Sequence, residues 1–374
     1  MMMSTGLNTG RAALFFGPGK PFRLEELPVP DPEPGAVVMR VTRANICGSD
    51  LHIWRGDGSF AAGGRDDGRI IGHEMTGVVH ALGEDVTTDW AGAPLAPGDR
   101  IVCQYFRACG RCRPCLRGRQ EACINATASF AGRPTDFPHF RGAFAEYFYV
   151  RPNMAVFRVP DAVNDATAAG VNCALSQMMM AFERADIRLG DRVVIQGAGG
   201  LGLYATALAR ESGASQVVVV DGVAERLELA RQMGADEVVD FTEFESPAAS
   251  AKHVRALTAG GGDQVFELVG RPGVIEHGLQ MVSPGGRYIE MGTVYTGTTS
   301  AIDAGQLVMR NITLQAVSFY DARSMAKALD FLARHAGSLP IVGGSAPYRL
   351  EDIDRAFEEA QQGRVARASL VMEG

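Results

Sequence analysis

The segment Gly197-Ala-Gly-Gly-Leu-Gly202 constrains the fold of this 374-residue chain more than any other feature of its sequence. It follows an apolar run, Val193 to Gln196, and opens a helical stretch, which is the strand–turn–helix context of a dinucleotide-binding loop. Glycines there permit a tight turn and let backbone N–H groups approach a pyrophosphate at the helix N-terminus. The candidate cofactor-binding residues of this loop are Gly197, Gly199, Gly200, Leu201 and Gly202.

Asp221 closes the next predicted strand, 24 residues after Gly197. A carboxylate at this position would accept hydrogen bonds from the ribose hydroxyls of a dinucleotide. It would also repel a 2′-phosphate, so the sequence predicts NAD as the cofactor rather than NADP. The alternative is that Asp221 only caps a loop.

Strands and helices alternate from about residue 166 to about residue 317, which predicts a doubly wound parallel sheet of the α/β class. Before this region, short apolar runs separated by Gly- and Pro-rich segments predict a β-rich domain. After it we expect two helices, over 322–334 and 352–362, and a closing strand over 368–372. The chain length favours two domains, at about 100 to 200 residues per domain.

Four cysteines within fifteen residues form the most specific metal motif: Cys109, Cys112, Cys115 and Cys123. Four thiolates so spaced can close a tetrahedral zinc shell with no open position, which is typical of structural sites. One alternative is four free buried cysteines. Another is a zinc ribbon that binds nucleic acid, because Arg107, Arg111, Arg113, Arg117 and Arg119 surround the motif. The formal net charge of −7 argues against nucleic acid and anionic membranes as partners.

Cys47 and His73 lie in the β-rich domain and offer a thiolate and an imidazole, two ligand types that suit zinc. Cys173 is the candidate third ligand, since the only other unassigned thiol is Cys103, which we expect to be a buried strand residue. Taken singly, His73 would be a satisfied polar residue and Cys173 a small buried side chain. Together, three protein ligands with one open position predict a catalytic zinc, so we expect two zinc ions per chain.

The composition excludes several other classes of protein. The first residues contain no apolar run typical of a secretory signal, and the longest uncharged stretch, 193–209, is too short for a membrane span of about 20 apolar residues. We therefore expect a cytoplasmic protein, in which seven cysteines favour metal over disulfides. The only lysines are Lys20, Lys252 and Lys327, so the tyrosine–lysine pair of short-chain dehydrogenases cannot be formed.

With these motifs the sequence resembles the medium-chain zinc-dependent alcohol dehydrogenases over essentially its whole length. The resemblance is carried by the four cysteines, the glycine loop with Asp221, Cys173, Cys47-Gly-Ser-Asp-Leu-His52 and Gly72-His73-Glu74. It implies a GroES-like β-barrel catalytic domain formed by residues 1–172 and 318–374, with a structural zinc lobe over 105–125. A Rossmann domain over residues 173–317 would be inserted between the two parts, and a homodimer or homotetramer is implied.

The resemblance also implies roles for residues near the three candidate ligands. Asp50 and Glu74 would be carboxylates beside the catalytic zinc. Ser49 and His52 resemble a proton relay, and a histidine suits this role because it titrates near physiological pH.

Two arginines are candidate cofactor residues. Arg367 resembles an arginine that contacts the cofactor pyrophosphate, and Arg226 is a further candidate.

Two departures from the family pattern bear on the substrate. Gly48 stands where the best-known alcohol dehydrogenases carry arginine, as in polyol and threonine dehydrogenases, but polyol dehydrogenases usually place a glutamate near Cys173. The mixture indicates a bacterial branch between these groups, and the run Val171-Asn-Cys-Ala is similar to dehydrogenases of terpenoid alcohols such as hydroxycamphor.

We therefore expect NAD-linked oxidation of a medium-sized, mostly apolar secondary alcohol to a ketone, or the reverse, with hydride transfer from a zinc-bound alkoxide to nicotinamide. Trp54, Tyr105 and the loop Phe130 to Phe140, with Phe137 and Phe140, are expected to line or cover the site; alternatively they pack the core or a subunit contact. The functional alternatives are a polyol or threonine-type dehydrogenase, a zinc-free NADPH-dependent quinone reductase, and a zinc-stabilised NAD(P)-binding protein without dehydrogenase activity.

Overall fold

The computed structural model describes residues 8–60, 64–297, 299–340, 347–363, 365 and 367–372. Its strands are β1 (Thr9–Phe15), β2 (Arg23–Pro28), β3 (Val37–Asn45), β4 (Arg69–Ile70), β5 (Glu74–Leu82), β6 (Arg100–Cys103), β7 (Phe106–Arg107), β8 (Thr127–Ala128), β9 (Tyr147–Val150), β10 (Val156–Arg158), β11 (Arg192–Gln196), β12 (Gln216–Asp221), β13 (Glu237–Asp240), β14 (Gly262–Glu267), β15 (Val282–Glu290), β16 (Thr313–Ala316), β17 (Tyr348–Arg349) and β18 (Ser369–Val371). Its α-helices are α1 (Gly48–Arg55), α2 (Arg113–Leu116), α3 (Asp165–Ala168), α4 (Ser176–Ala185), α5 (Gly200–Glu211), α6 (Ala224–Gln232), α7 (Pro247–Leu257), α8 (Val274–Met281), α9 (Ala304–Met309), α10 (Ala322–Arg334) and α11 (Ile353–Gln361), and a π-helix covers Val171–Leu175.

The described residues form two compact units. The first contains those of 8–173, 321–336 and 347–372, and the second contains those of 174–320 and 337–340. The first unit is therefore built from separate stretches of the chain.

The main sheet of the first unit has the strand order β10-β6-β5-β3-β18-β17, with β9 also paired to β3. β3 and β5 are antiparallel, and their register places Asn45 opposite Glu74. The chain leaves β3 two residues before Cys47 and enters β5 directly after His73. This register therefore brings two candidate metal ligands to the same end of one strand pair.

The second unit contains a parallel sheet with the strand order β13-β12-β11-β14-β15-β16. This is the order of the Rossmann fold, so the predicted doubly wound sheet is confirmed. Val194, Val218 and Val265 from its central strands are fully buried. The strand order reverses between β11 and β14, and dinucleotides bind at the carboxyl ends of the strands at such a point. The glycine loop follows β11 at this edge.

No helix in the described part of the chain has both the length and the apolar character needed to cross a bilayer.

Candidate active site

Cys47 lies at the N-terminus of α1, directly after β3. Its backbone is extended, with φ −83° and ψ 159°, and the helix begins at the next residue. The Cys47 N–H donates to Asp50 Oδ2 at 2.9 Å, so Asp50 closes the first turn. The helix therefore begins inside the motif Cys47-Gly-Ser-Asp-Leu-His52, and Asp50 fixes its start.

His73 is oriented by the same carboxylate. His73 Nδ1 lies 3.3 Å from Asp50 Oδ1, and the Asp50 side chain is fully buried. The opposite ring nitrogen, Nε2, lies 3.3 Å from Cys173 Sγ and 3.4 Å from Ser49 Oγ. A carboxylate that holds one ring nitrogen fixes the tautomer and orientation in which the other nitrogen binds a metal.

Cys173 completes a cluster of donor atoms from the π-helix. Its Sγ lies 4.0 Å from Cys47 Sγ. Ligand atoms of Cys47, His73, Glu74 and Cys173 all lie within 4.8 Å of one another. Two sulfurs bound to one tetrahedral zinc at about 2.3 Å each are about 3.8 Å apart, so the spacing and the mixture of sulfur and nitrogen donors fit a zinc ion.

The charges of this cluster favour a thiolate. The Cys173 thiol, which hydrogen-bonds to Cys47, acts with His73 and Arg367 to hold the pKa of Cys47 well below its ordinary value, although burial opposes this. Burial lowers the pKa of His73, but Asp50 and Cys47 outweigh burial and raise it to about 10. A metal ion at these side chains would compete with protons for the same atoms, so its binding would depend on pH.

Glu74 and Arg367 form a buried ion pair beside the ligands. Arg367 Nη2 donates to Glu74 Oε2, and the two side chains are 6% and 0% exposed. The other carboxylate oxygen, Glu74 Oε1, is buried without a hydrogen-bond partner. The structure thus places both residues at the metal cluster, while the pyrophosphate contact of Arg367 stays a prediction.

Ser49 and His52 lie one turn apart on α1. Ser49 Oγ is beside the metal cluster through its 3.4 Å approach to His73 Nε2. His52 Nδ1 lies 2.7 Å from Asp57 Oδ2 and 2.8 Å from Arg55 Nη2. The Asp57 carboxylate therefore fixes the orientation of the imidazole, as a proton relay requires. The relay itself stays a prediction.

Two aromatic rings lie against the candidate ligand His73. The Tyr105 ring centroid is 4.6 Å from that of the imidazole, and the Phe130 ring centroid is 6.2 Å from it. Tyr105 was expected near the cluster. These rings give the cluster an apolar side that excludes water.

The other predicted pocket residues pack elsewhere. Phe140 is fully buried in a core cluster of the first unit, so the expectation that it covers the site is wrong. Phe137 is 48% exposed, and its ring lies 5.4 Å from that of Tyr149 rather than on the cluster. The Trp54 ring packs on Phe357 at 5.8 Å. For these three aromatics the alternative of ordinary packing applies.

The four-cysteine motif forms a second donor cluster, in which the ligand atoms again lie within 4.8 Å of one another. Cys112 Sγ lies 3.4 Å from Cys115 Sγ and 3.8 Å from Cys123 Sγ. The Asn125 side chain hydrogen-bonds Cys109 Sγ at 3.4 Å and helps to lower the pKa of that thiol to about 6. Four sulfurs in this arrangement fit a zinc ion held with no open position.

The glycine loop of the second unit joins β11 to α5. Gly197 has a φ of +96°, in the left-handed region that favours glycine. A Cβ at Gly202 would lie 1.8 Å from the Gly197 carbonyl oxygen, so a side chain cannot be accommodated there. Gly199 precedes the first helical residue, Gly200. The first N–H groups of a helix have no partner within it, and those of α5 are available to a pyrophosphate.

Asp221 ties the end of β12 to this loop. Its Oδ2 accepts from the Ala198 N–H at 2.7 Å, and its Oδ1 accepts from the N–H groups of Gly222 and Val223 at 2.8 and 3.0 Å. The Asp221 carboxylate therefore holds backbone N–H groups of two loops, as expected from the alternative that Asp221 caps a loop. The contact of Asp221 with the ribose stays a prediction. Arg226 follows in the first turn of α6, where its cofactor contact also stays a prediction.

Comparison with known proteins identifies the family. Residues 33–161 match the alcohol dehydrogenase GroES-like domain, and residues 200–334 match the zinc-binding dehydrogenase family. The L-threonine 3-dehydrogenase of Bacillus subtilis is 31% identical over 93% of this chain and 94% of its own length. This chain belongs to the zinc-dependent alcohol dehydrogenase family.

Two further relatives of this chain cover nearly its whole length. The 5-exo-hydroxycamphor dehydrogenase of Pseudomonas putida is 28% identical over 91% of this chain and 93% of its own. A crystal structure of an alcohol dehydrogenase from Thermotoga maritima has a TM-score of 0.88 at 26% identity and covers 98% of this chain and 100% of its own. The family resemblance and the two-domain α/β fold are thereby confirmed, and the protein is an oxidoreductase.

Sequence reasoning missed one residue of the candidate site, Asn172. Asn172 bonds to the backbone on both sides of Glu74. Its signal was a polar residue inside the apolar run that carries Cys173. Phe130 lies near His73 and belongs to the loop that was expected at the site, but no sequence signal separates it from the neighbouring Phe137 and Phe140.

Proposed function

We propose that this alcohol dehydrogenase interconverts a secondary alcohol and its ketone with NAD, at the cluster of Cys47, His73 and Cys173. The observation that carries the proposal is this buried set of two sulfurs and one imidazole, which lie within 4.8 Å of one another with Ser49 beside them. Three protein ligands leave zinc one open position. When bound there, zinc supplies a Lewis acid that favours the alkoxide form of an alcohol near neutral pH.

The protein's own residues orient the substrate and move the proton. Oxidation removes a proton from the hydroxyl group and a hydride from the carbon; NAD⁺, held at the glycine loop, would supply the hydride acceptor. Ser49 Oγ receives the proton first and His52 passes it toward solvent, with Asp57 holding the imidazole. Asp50 keeps His73 in its binding tautomer.

Cofactor binding is assigned to the Rossmann domain over 173–317, inserted into a catalytic domain of residues 1–172 and 318–374. The glycine loop and the N-terminus of α5 suit a pyrophosphate, and Asp221 supports NAD over NADP because its charge would oppose a 2′-phosphate. Two zinc ions per chain are proposed from the two clusters of donor atoms.

The aromatic rings beside the cluster favour an apolar substrate. Phe130 offers no hydrogen bond, and a buried hydroxyl without a partner costs about 1–3 kcal/mol, so a polyol fits less well than an apolar alcohol. The similarity to 5-exo-hydroxycamphor dehydrogenase supports a bulky, mostly apolar alcohol. The 31% identity to an L-threonine 3-dehydrogenase favours a threonine-type substrate as the second candidate.

The deciding experiment measures NAD-linked turnover of a panel of alcohols by the zinc-loaded protein. Cyclic or branched secondary alcohols should exceed sorbitol, threonine and ethanol in kcat/KM by at least ~100-fold. Cys47→Ser should abolish turnover and leave NADH binding nearly intact, because the cofactor loop lies in the other unit. If the enzyme had a higher kcat/KM for threonine or sorbitol than for the secondary alcohols, the proposed substrate class would be wrong.

A further inference from the structure

A single buried side chain ties the strand of one candidate zinc ligand to the helix of another. Asn172 is fully buried, next to Cys173 on the π-helix. Its Nδ2 donates to the His73 carbonyl oxygen at 3.0 Å, and its Oδ1 accepts from the Met75 N–H at 3.2 Å. The carboxamide therefore spans the start of β5, from the residue before Glu74 to the residue after it.

The chemistry of these two bonds is specific to asparagine. A carboxamide has a donor and an acceptor at the same distance from the backbone, which is what an adjacent carbonyl and N–H require. Aspartate would keep the acceptor but lose the donor, and alanine would leave a buried carbonyl and a buried N–H without this partner. His73 and Met75 are both buried, so water could not replace the lost hydrogen bonds to their backbone groups.

The π-helix adds a second constraint on Cys173. A π-helical turn over 171–175 lacks the bonding pattern of an α-helix, and such turns are frequent at functional sites. Cys173 Sγ nevertheless lies 3.3 Å from His73 Nε2, although the two residues are separated by 100 positions. Asn172 precedes Cys173 by one residue and bonds to the carbonyl oxygen of His73 itself, so its side chain is placed to set this distance.

The four-cysteine cluster provides a contrast within the same protein. Its ligands come from one short segment, and local bonds such as that of the Cys109 N–H to Cys123 Sγ, 3.2 Å long, shape it. Asn172 lies outside this segment, and its carboxamide bonds to the backbone of His73 and Met75. A change at Asn172 should therefore affect one metal cluster and leave the other unaltered.

We propose that Asn172 is a positioning residue that holds Cys173 against His73 and thereby determines how firmly the catalytic cluster retains its zinc. The proposal rests on the proposed function only in that the cluster of Cys47, His73 and Cys173 binds zinc. Residues that hold metal ligands in place typically contribute 10–100-fold to metal affinity.

The test uses the full chain loaded with two zinc ions and measures zinc release to a chromophoric chelator over time. In Asn172→Ala one equivalent should leave at least about tenfold faster than in the parent, and the second should leave at the parent rate. Asn172→Asp, which keeps the acceptor toward Met75, should also release one equivalent faster. The matched control is Asn164→Ala, which removes the cap of α3, and both equivalents should leave it at the parent rates.

Cobalt substitution reports the geometry of the same cluster directly. The sulfur-to-cobalt charge-transfer band of the catalytic cluster should shift in Asn172→Ala and not in Asn164→Ala. If either Asn172 variant, melting at the parent temperature, releases both zinc ions at parent rates with an unshifted band, the inference is overturned. A parent that binds two zinc ions but oxidises no alcohol of the panel overturns the proposed function and leaves the role of Asn172 standing.

Discussion

Replacement of Asp221 separates two effects that one carboxylate exerts on the cofactor. The side chain accepts three backbone N–H groups and carries the charge expected to oppose a 2′-phosphate. In Asp221→Gly the buried Ala198 N–H loses its partner, whereas those of Gly222 and Val223 are partly exposed and can turn to water. One orphaned buried donor, with weakened neighbours, should cost about 2–3 kcal/mol of unfolding free energy.

Asp221→Asn retains one acceptor oxygen and removes the charge, so it should cost less stability. In both variants the ratio of NADPH to NADH dissociation constants should narrow by at least about tenfold, or ~1.4 kcal/mol. Only Asp221→Gly should also weaken binding of both cofactors together, because only there is the loop released. The assay is fluorescence titration with NADH and NADPH at one fixed ionic strength, with thermal unfolding in parallel.

Asp240→Asn is the matched control. Asp240 is the register partner of Asp221 on β13, at the same edge of the sheet, and its carboxylate bonds to the Thr242 N–H of its own turn. Its removal should leave the cofactor ratio unchanged. Equal affinity of the parent for the two cofactors, or an unchanged ratio in Asp221→Asn, would refute the reasoning.

Three further predictions concern the lobe, the sheet and the relay. Cys112→Ser should lower solubility or melting temperature more than it alters turnover of the remaining folded protein, because metal binding in a closed cluster is coupled to local folding; a variant that melts like the parent and loses only activity would contradict this. Glu267 is buried opposite Glu290 on the neighbouring strand, and burial together with that carboxylate raises its pKa from about 4.5 to about 8. Between these two pH values the folded state binds more protons than the unfolded state, so the unfolding free energy should fall as pH rises from about 4.5 to 8. In Glu267→Gln this fall, measured by denaturant titration, should be smaller by about 3–5 kcal/mol. Parallel plots of unfolding free energy against pH for the parent and the variant would contradict the prediction. His52→Gln should slow alcohol oxidation most at low pH, with partial rescue by imidazole buffers, and an unchanged pH profile of kcat would remove His52 from the relay.

Local patterns predicted the second unit well because its elements are set by residues near one another in sequence. The alternation of strands and helices that the sequence predicts is present there as β11 to β16 with α5 to α9 among them. In the first unit, the helix predicted over 322–334 is α10, Ala322–Arg334. The glycine loop was predicted from the close approach that its small residues permit, and Gly202 shows that approach directly.

Non-local pairing explains what the sequence did not reveal about the site. The antiparallel register of β3 and β5 brings Cys47 beside His73, and no periodicity encodes a register between strands so far apart. The helical start at Cys47 depends on the Asp50 cap, whose signal lies in a short segment that reads equally as a turn. Phe140 was expected at the site because it is aromatic and lies in a loop, but core packing satisfies it equally well.

The ion pair of Glu74 with Arg367 imposes an order of events during synthesis. The three candidate ligands have all been translated by residue 173, whereas Arg367 and β18, which pairs with β3, are made only after the whole second unit. Residues 174–320 and 337–340 all precede this last segment, so the second unit can fold while the first still lacks its last strand. Until then Glu74 has no cation to offset the cost of its burial, which is high for an unpaired carboxylate. The nascent first unit therefore cannot form this ion pair, or the pairing of β18 with β3, until the last segment of the chain has been made.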